Sequence, residues 1–245
     1  MHTKLSFKAT ALAALVSITL PAAFAAGTAS SGWKWDATLY GLAAGMSGDV
    51  TVKGVVVDLD VPFSKIIENL EFGAMGKLRV SNGQWAFAAD VVYMGLGGGK
   101  NGSSVDFDQW NVEPTVGYRI SDAVEFLAGA RYTSLDATAT VALPARPSLV
   151  GNAKKDWWDP IVGVNLTMPF NPTTSLDLRA DVGGGYDGDL TWQAFPTMNW
   201  RFSPTGSLQA GYRWLYADYE TGGGRDLFRY DVLTQGPQIG VTFRF

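Results

Sequence analysis

Ten charged side chains sit at alternating positions within otherwise apolar segments: Lys77, Asp90, Glu113, Arg119, Glu125, Arg131, Asp177, Arg179, Asp181 and Arg213. Paired carboxylates of this kind can supply an acid and a base for glycoside hydrolysis, and mixed cations and anions can form an ionic network or line a solute path. What the sequence lacks narrows the chemistry. There is no cysteine, hence no thiol nucleophile and no thiolate metal site. The single histidine is His2. A Ser-His-Asp arrangement and His-ligated zinc have nothing to build on beyond it. Nothing singles out a carboxylate-only mechanism, so the expectation is a protein that is not an enzyme, with no cofactor and no metal.

Weaker motifs add little. Gly97-Gly98-Gly99-Lys100-Asn101 lacks the Lys-Ser/Thr pair of a phosphate loop and is followed by no helical pattern. Asp58-Leu59-Asp60 and Asp187-Gly188-Asp189 could hold a divalent cation, but solvated loop carboxylates are the simpler reading. Lys154-Lys155 could meet lipid phosphates.

The elements that carry these charges follow from composition and periodicity. The 245 residues are 17% charged and 13% aromatic, with 29 glycines. Low charge with many aromatics and glycines suits a β protein with tight turns and a wide apolar surface. Lys4 and Lys8 precede an apolar run, Ala9 to Leu20, then Pro21 and Ala23-Phe24-Ala25. This is the pattern of a secretory signal peptide, with cleavage expected after Ala25. The run is too short to cross a bilayer as a helix, which takes about 20 residues. Removing residues 1–25 takes Lys4, Lys8 and His2 with it, and the formal charge of −4 becomes more negative. Mild acidity without a basic stripe argues against nucleic acid as a partner.

No later segment is long and apolar enough for a transmembrane helix, so membrane residence has to come from strands. Apolar residues recur at every second position. In the run from Trp110 to Ile120, one face carries Trp110, Val112, Pro114, Val116, Tyr118 and Ile120, and the other Asn111, Glu113, Thr115, Gly117 and Arg119. The same split recurs in runs beginning at Trp85, Val124, Trp157, Leu176, Thr191 and Leu208, and in the last segment, which ends Ile239, Val241, Phe243, Phe245. Short turns at 81–84, 121–123, 171–174 and 203–206 alternate with mostly longer connections at 97–104, 138–156 and 221–227. Short periplasmic turns and long external loops are the signature of an outer-membrane barrel. Counting back from Phe245 predicts a transmembrane antiparallel up-and-down β-barrel of ten strands, within a range of eight to twelve. Its first strand spans Trp35 to Met46, and 47–70 forms the first external loop. Within that loop Val50 to Val61 is strand-like, and Pro62 to Leu70 reads as a short amphipathic helix that caps the mouth or tucks into it. Domains are then 1–25 signal peptide, 26–34 N-terminal periplasmic segment and 35–245 barrel.

A soluble lipocalin-like barrel would turn its apolar stripe inward, whereas a membrane barrel turns it outward. Aromatics decide for the membrane. Trp85, Tyr118, Phe126 and Trp200 lie near the short turns; Tyr93, Trp110, Tyr132, Trp158 and Trp192 lie near the long loops, with Trp214 on the same face. Two girdles around an aliphatic band match two bilayer interfaces. Turning Lys77, Arg119, Arg131, Arg179 and Arg213 toward lipid would cost on the order of 10–20 kcal/mol. The charged stripe therefore faces the lumen. It has both signs and no ring of one sign, which predicts a salt-bridge network filling a narrow lumen, or a small path without strong ion selectivity. Pro114, Pro160 and Pro196 each remove a ladder bond, so a bulge or a poorly paired neighbour is expected at each.

The signal peptide and the terminal strand, with Phe243 and Phe245 in register at the end of the chain, resemble those of the small outer-membrane barrels of Gram-negative bacteria, the OmpA/OmpW-like group of porin-family barrels. The stretch from Pro62 to Met94 is similar to segments of uncharacterised barrels in that group. The resemblance implies that Phe243 and Phe245 act as an assembly signal. It also implies as partners membrane lipid, lipopolysaccharide, periplasmic chaperones and the barrel-assembly machinery. The function expected is porin-like passage or partitioning of small solutes, with a structural or adhesive surface barrel and a secreted lipocalin-like carrier as alternatives.

Overall fold

The computed structural model describes residues 32–100, 103–143, 146–185 and 189–245. The signal peptide, most of the 26–34 segment, and Asp187-Gly188 lie outside the described residues. The strands are β1 Lys34–Leu42, β2 Gly45–Val52, β3 Val55–Val61, β4 Leu70–Ser81, β5 Trp85–Lys100, β6 Ser103–Arg119, β7 Val124–Leu143, β8 Arg146–Asn171, β9 Thr174–Gly183, β10 Leu190–Arg201, β11 Gly206–Thr221 and β12 Phe228–Arg244, with helix α1 at Phe63–Asn69 between β3 and β4. Successive strands from β4 to β12 pair as antiparallel neighbours, and β1 pairs with both β4 and β12. That last contact closes the sheet into a barrel. β1 and β2 act as one strand: both run against β12 in a single register, from Asp36 opposite Arg244 to Val52 opposite Phe228. Only Ala43 and Ala44 leave the ladder, and the Ala43 amide still donates to the Pro237 carbonyl at 2.9 Å. Counted this way the wall has ten strands, as the alternation predicts.

The first external connection is more ordered than a loop. β3 turns back along β2, with Met46 opposite Val61 and Val52 opposite Val55. Pairing of β1 with β4 stops at Leu39 opposite Gly76, and α1 bridges from β3 to the top of β4. Of the helix residues read as one apolar side, only Ile66 is buried; Phe63, Ile67 and Leu70 are exposed. The expected loops at 97–104 and 138–156 are also largely strand. β5 and β6 pair out to Lys100 opposite Ser103, and β7 and β8 out to Leu143 opposite Arg146. A hairpin already in register extends its ladder without a new loop-closure cost, and cross-strand hydrogen bonds replace those to water. The connection at 221–227 remains a loop with one short 3₁₀ turn, Gly224–Asp226.

The apolar stripe faces outward. Ile239 is 65% exposed, Val162 60% and Phe126 54%, which an aqueous surface would not favour over so wide a band. Of the predicted girdle, Trp85, Trp110, Tyr118, Phe126, Trp158 and Trp200 are exposed. Tyr93 packs on Trp110, Tyr132 on Trp158, Trp192 on Tyr216 and Trp214 on Tyr212. Phe243 and Phe245 are exposed as well, and Phe245 exchanges backbone hydrogen bonds with Trp35 at 2.8 and 3.2 Å, closing the rim at the short-turn end. Above this band the polarity inverts. On β11 and β12 the outward residues become Asp218, Glu220, Arg229 and Asp231, joined by ion pairs. The inward residues there become Ala217, Phe228, Tyr230 and Val232, all buried. Lipid outside calls for apolar outward residues and water for polar ones, so the inversion marks the outer edge of the bilayer.

The prolines do not produce bulges. β6 and β7 keep one register across Pro114, from Val112 opposite Tyr132 to Thr115 opposite Gly129, and the ladder skips two positions. β10 and β11 do the same across Pro196, from Ala194 opposite Trp214 to Thr197 opposite Gly211. At Pro160 the β8–β9 ladder simply begins one residue later, with Ile161 opposite Gly183. Each proline has a lumen-facing glycine beside it. A Cβ on Gly129 would lie 2.2 Å from the Pro114 carbonyl oxygen, one on Gly211 2.3 Å from that of Pro196, and one on Gly183 2.0 Å from that of Pro160. At approaches this close only glycine leaves room for the facing carbonyl.

Candidate functional site

The lumen is stratified into three zones. The middle zone is ionic. Arg131, on β7, is 1% exposed. Its guanidinium donates to Glu113 at 2.9 Å, to Asp181 at 2.7 Å and to the Thr191 hydroxyl at 2.6 Å. Thr191 passes the chain on to the Tyr216 carbonyl at 2.8 Å. Arg179, on β9, donates to Asp181 at 2.9 Å and pairs with Glu113. Gln193 donates to Asp181 at 3.1 Å and accepts from Arg213 at 2.7 Å. Arg213, on β11, lies 3.6 Å from Asp90 on β5, which also accepts a hydrogen bond from Tyr40 on β1. Three guanidiniums thus meet three carboxylates in one layer of zero net charge. All six side chains are buried. A lone charge in such a place would carry a desolvation cost of several kcal/mol, which only this mutual pairing offsets. The network reaches from β11 to β5, nearly opposite in a ring of ten, so it crosses the lumen at this height.

Above the ionic layer the lumen is apolar. Met46, Leu135, Trp157, Ala217, Phe228, Tyr230 and Val232 form one cluster, with Ile66 of α1 set into it from the mouth. Trp157 stacks flat on Tyr219, centroids 4.3 Å apart, and its indole N–H donates to Asp159 at 3.0 Å. The helix therefore tucks in by one side chain rather than capping the mouth with its whole face.

Below the layer a vestibule of about 740 Å³ opens at the short-turn end. Glu125 is held in its wall by Arg79, at 2.7 and 3.2 Å, and by Asn165 at 2.9 Å. At the rim Arg244 pairs with Asp36 at 2.7 Å. Lys77, Arg119 and Asp177 also line this vestibule.

Of the ten charges singled out in the sequence, six meet in the central layer: Asp90, Glu113, Arg131, Arg179, Asp181 and Arg213. Glu125, Lys77, Arg119 and Asp177 do not join it. Glu125 belongs to a separate pair with Arg79, and the other three face the vestibule. Sequence reading missed Tyr40, Arg79, Thr191 and Gln193. Arg79 shares the stripe of Lys77, and Gln193 that of Thr191, so the alternation could have found them; Tyr40 is aromatic and was not sought inside. The apolar upper zone was also missed, although the charges of Asp218, Glu220, Arg229 and Asp231 on the opposite stripe signal it. Among the described residues no group of histidine, aspartate and glutamate is arranged to hold a metal ion, and Asp58 and Asp60 are not gathered into such a group.

No family model and no curated protein matches the sequence. Solved structures match the fold. The outer membrane protease OmpT from Escherichia coli superposes with a TM-score of 0.56 at 8% identity, over 89% of this chain and 99% of that one. The translocator domain of the autotransporter NalP from Neisseria meningitidis gives 0.46 at 14%, over 91% and 92%. Ail, the attachment invasion locus protein of Yersinia pestis, gives 0.40 at 13%, over 87% and 98%. Identities this low speak to architecture alone. The OmpT superposition shows the barrel fold, and the outward apolar band with the enclosed ionic layer makes this chain a small ten-stranded β-barrel of the membrane-spanning kind.

Proposed function

We propose that this barrel lets small solutes pass or partition through its narrow lumen in the manner of a porin, with the ionic layer as its closed constriction. The observation that carries the reading is the hollow vestibule of about 740 Å³ that ends on that layer. The constriction is made of side chains, and side chains can exchange partners without unfolding a strand. On this reading conductance is small and intermittent, and it increases when a cross-lumen pair is removed. Planar-bilayer recording of the purified barrel tests it: no openings from the wild type or from Arg213→Gln, together with unchanged solute uptake in a deletion strain, rejects passage. No catalytic step enters the reading.

The same reading has the chain exported on a signal peptide cleaved after Ala25. Periplasmic chaperones and the barrel-assembly machinery then receive it through Phe243 and Phe245, and it settles against membrane lipid and lipopolysaccharide. The N-terminal sequence of the mature protein tests the cleavage.

One observation favours a second reading, a structural or adhesive surface barrel. The β7–β8 hairpin continues well beyond the outer aromatic girdle, to Leu143 and Arg146. Deleting 138–156 abolishes attachment to host or envelope components if this arm is the working part, and leaves it intact otherwise.

A further inference from the structure

The vestibule carries an unbalanced charge. Asp36 is matched by Arg244 and Glu125 by Arg79. Lys34, Lys77, Arg119 and Arg201 also line it, and among the described residues none of them forms an ion pair, although Lys77 feels Asp90, Glu113 and Asp177 at longer range. Against these four stand only Asp122, in a turn at the rim, and Asp177, whose one oxygen accepts from Asn199 at 2.8 Å. The four cations are spread over the depth of the cavity. Arg119 and Arg201 end their strands at the rim, whereas Lys77 lies inside β4 at the inner end, beside Arg179 and Arg79 in a small side recess. Uncompensated cations are normally dispersed over a water-exposed surface. Here Lys34 and Arg201 are exposed at the mouth, Arg119 is half-buried beside them and Lys77 is half-buried deeper in the wall, so all four line one opening and direct their field into the cavity.

We infer that the periplasmic vestibule is a binding site for a small multivalent oxyanion, a molecule bearing two or more carboxylate, phosphate or sulfonate groups. Guanidinium forks at the rim suit such groups in bidentate geometry, and the ammonium of Lys77 supplies a point charge at the inner end. A cavity of about 740 Å³ is of the size that takes up whole small molecules. The ligand is soluble rather than a lipid headgroup, because the closed wall separates the cavity from the bilayer. The inference holds whether or not the ionic layer above ever opens.

The test uses the full barrel, folded in a neutral maltoside detergent, and pyrene trisulfonate as a fluorescent probe. Saturable binding is expected, displaced by citrate or pyrophosphate, and weakened about tenfold between low and physiological salt. Lys77→Gln/Arg119→Gln/Arg201→Gln weakens it by about tenfold or more, whereas Arg229→Gln, on the outer face, leaves it unchanged. The charge-keeping variant Lys77→Arg/Arg119→Lys/Arg201→Lys retains binding, and heat-modifiable gel mobility certifies that each variant is folded. Should the triple variant not fold, Arg201→Gln alone is expected to weaken binding measurably. Absence of saturable binding, equal affinity in folded wild type and triple variant, or displacement of the probe by anionic-lipid nanodiscs but not by citrate each overturns the inference.

Discussion

Arg213 on β11 and Asp90 on β5 face each other across the lumen at 3.6 Å, tied together by the hydroxyl of Tyr40. Their strands lie nearly opposite in the ring, so this contact is a strut as well as a plug. Removing one partner leaves a charge buried without its counterpart. Arg213→Leu is expected to destabilise the barrel by about 3–5 kcal/mol. Asp90→Asn/Arg213→Gln should recover part of that loss, because neither charge remains. Urea titration in detergent, read by gel mobility, measures both. Equal stability of Arg213→Leu and wild type would show that the contact bears no load.

The proline–glycine pairing makes a second prediction. Gly129→Ala and Gly211→Ala place a methyl against the carbonyls of Pro114 and Pro196, at 2.2 and 2.3 Å. Overpacking of this kind costs about 1–3 kcal/mol. Gly151, which has nothing within 4 Å of its ideal Cβ, provides the control: Gly151→Ala should be neutral in the same refolding assay.

Helix α1 is anchored by Ile66, which is 6% exposed, and has no side-chain cap at its N-terminus. Ile66→Asp would bury a charge in an apolar cluster, so the helix should leave the mouth instead. Hydrogen exchange and protease sensitivity should rise across 62–70 while the barrel's heat-modifiable mobility is kept. Protection unchanged from wild type would mean that Ile66 is not the anchor.

The polarity inversion locates the bilayer. Ile239→Arg, in the apolar band, should cost about 2–4 kcal/mol at mid-membrane depth. Asp218→Lys, on the same exterior but above the band, loses only partly exposed ion pairs to Arg229 and should cost about 1 kcal/mol or less. Folding equilibria in lipid vesicles compare the two. Comparable penalties would place both residues in the same medium and contradict the assigned boundary.

Much of the architecture was legible from alternation because a strand has no other way to present two faces to two environments. The stripes of Trp110 to Ile120 and of the terminal Ile239-Val241-Phe243-Phe245 specified wet and greasy sides directly, and the short turns gave the direction of travel. The helix at 63–69 was legible from its apolar spacing. The three-way split of the lumen was not. Glu113 and Glu125 occupy the same stripe type, yet one enters the central layer and the other pairs with Arg79. Strand tilt and register decide which heights coincide across a closed ring, and neither is encoded in any single strand.

Sequence by itself determined that this chain forms strands, that one face of each is apolar, and that histidine- and cysteine-based chemistry is excluded from its barrel. Those are local properties: residue type and a period of two suffice to state them. Only the tertiary structure decided that six charges from five strands neutralise one another in one layer, that Ile66 is set into the apolar zone above, and that four cations with no ion pair among the described residues line the vestibule below. These depend on closure, since distances across a lumen exist only once β1 has met β12.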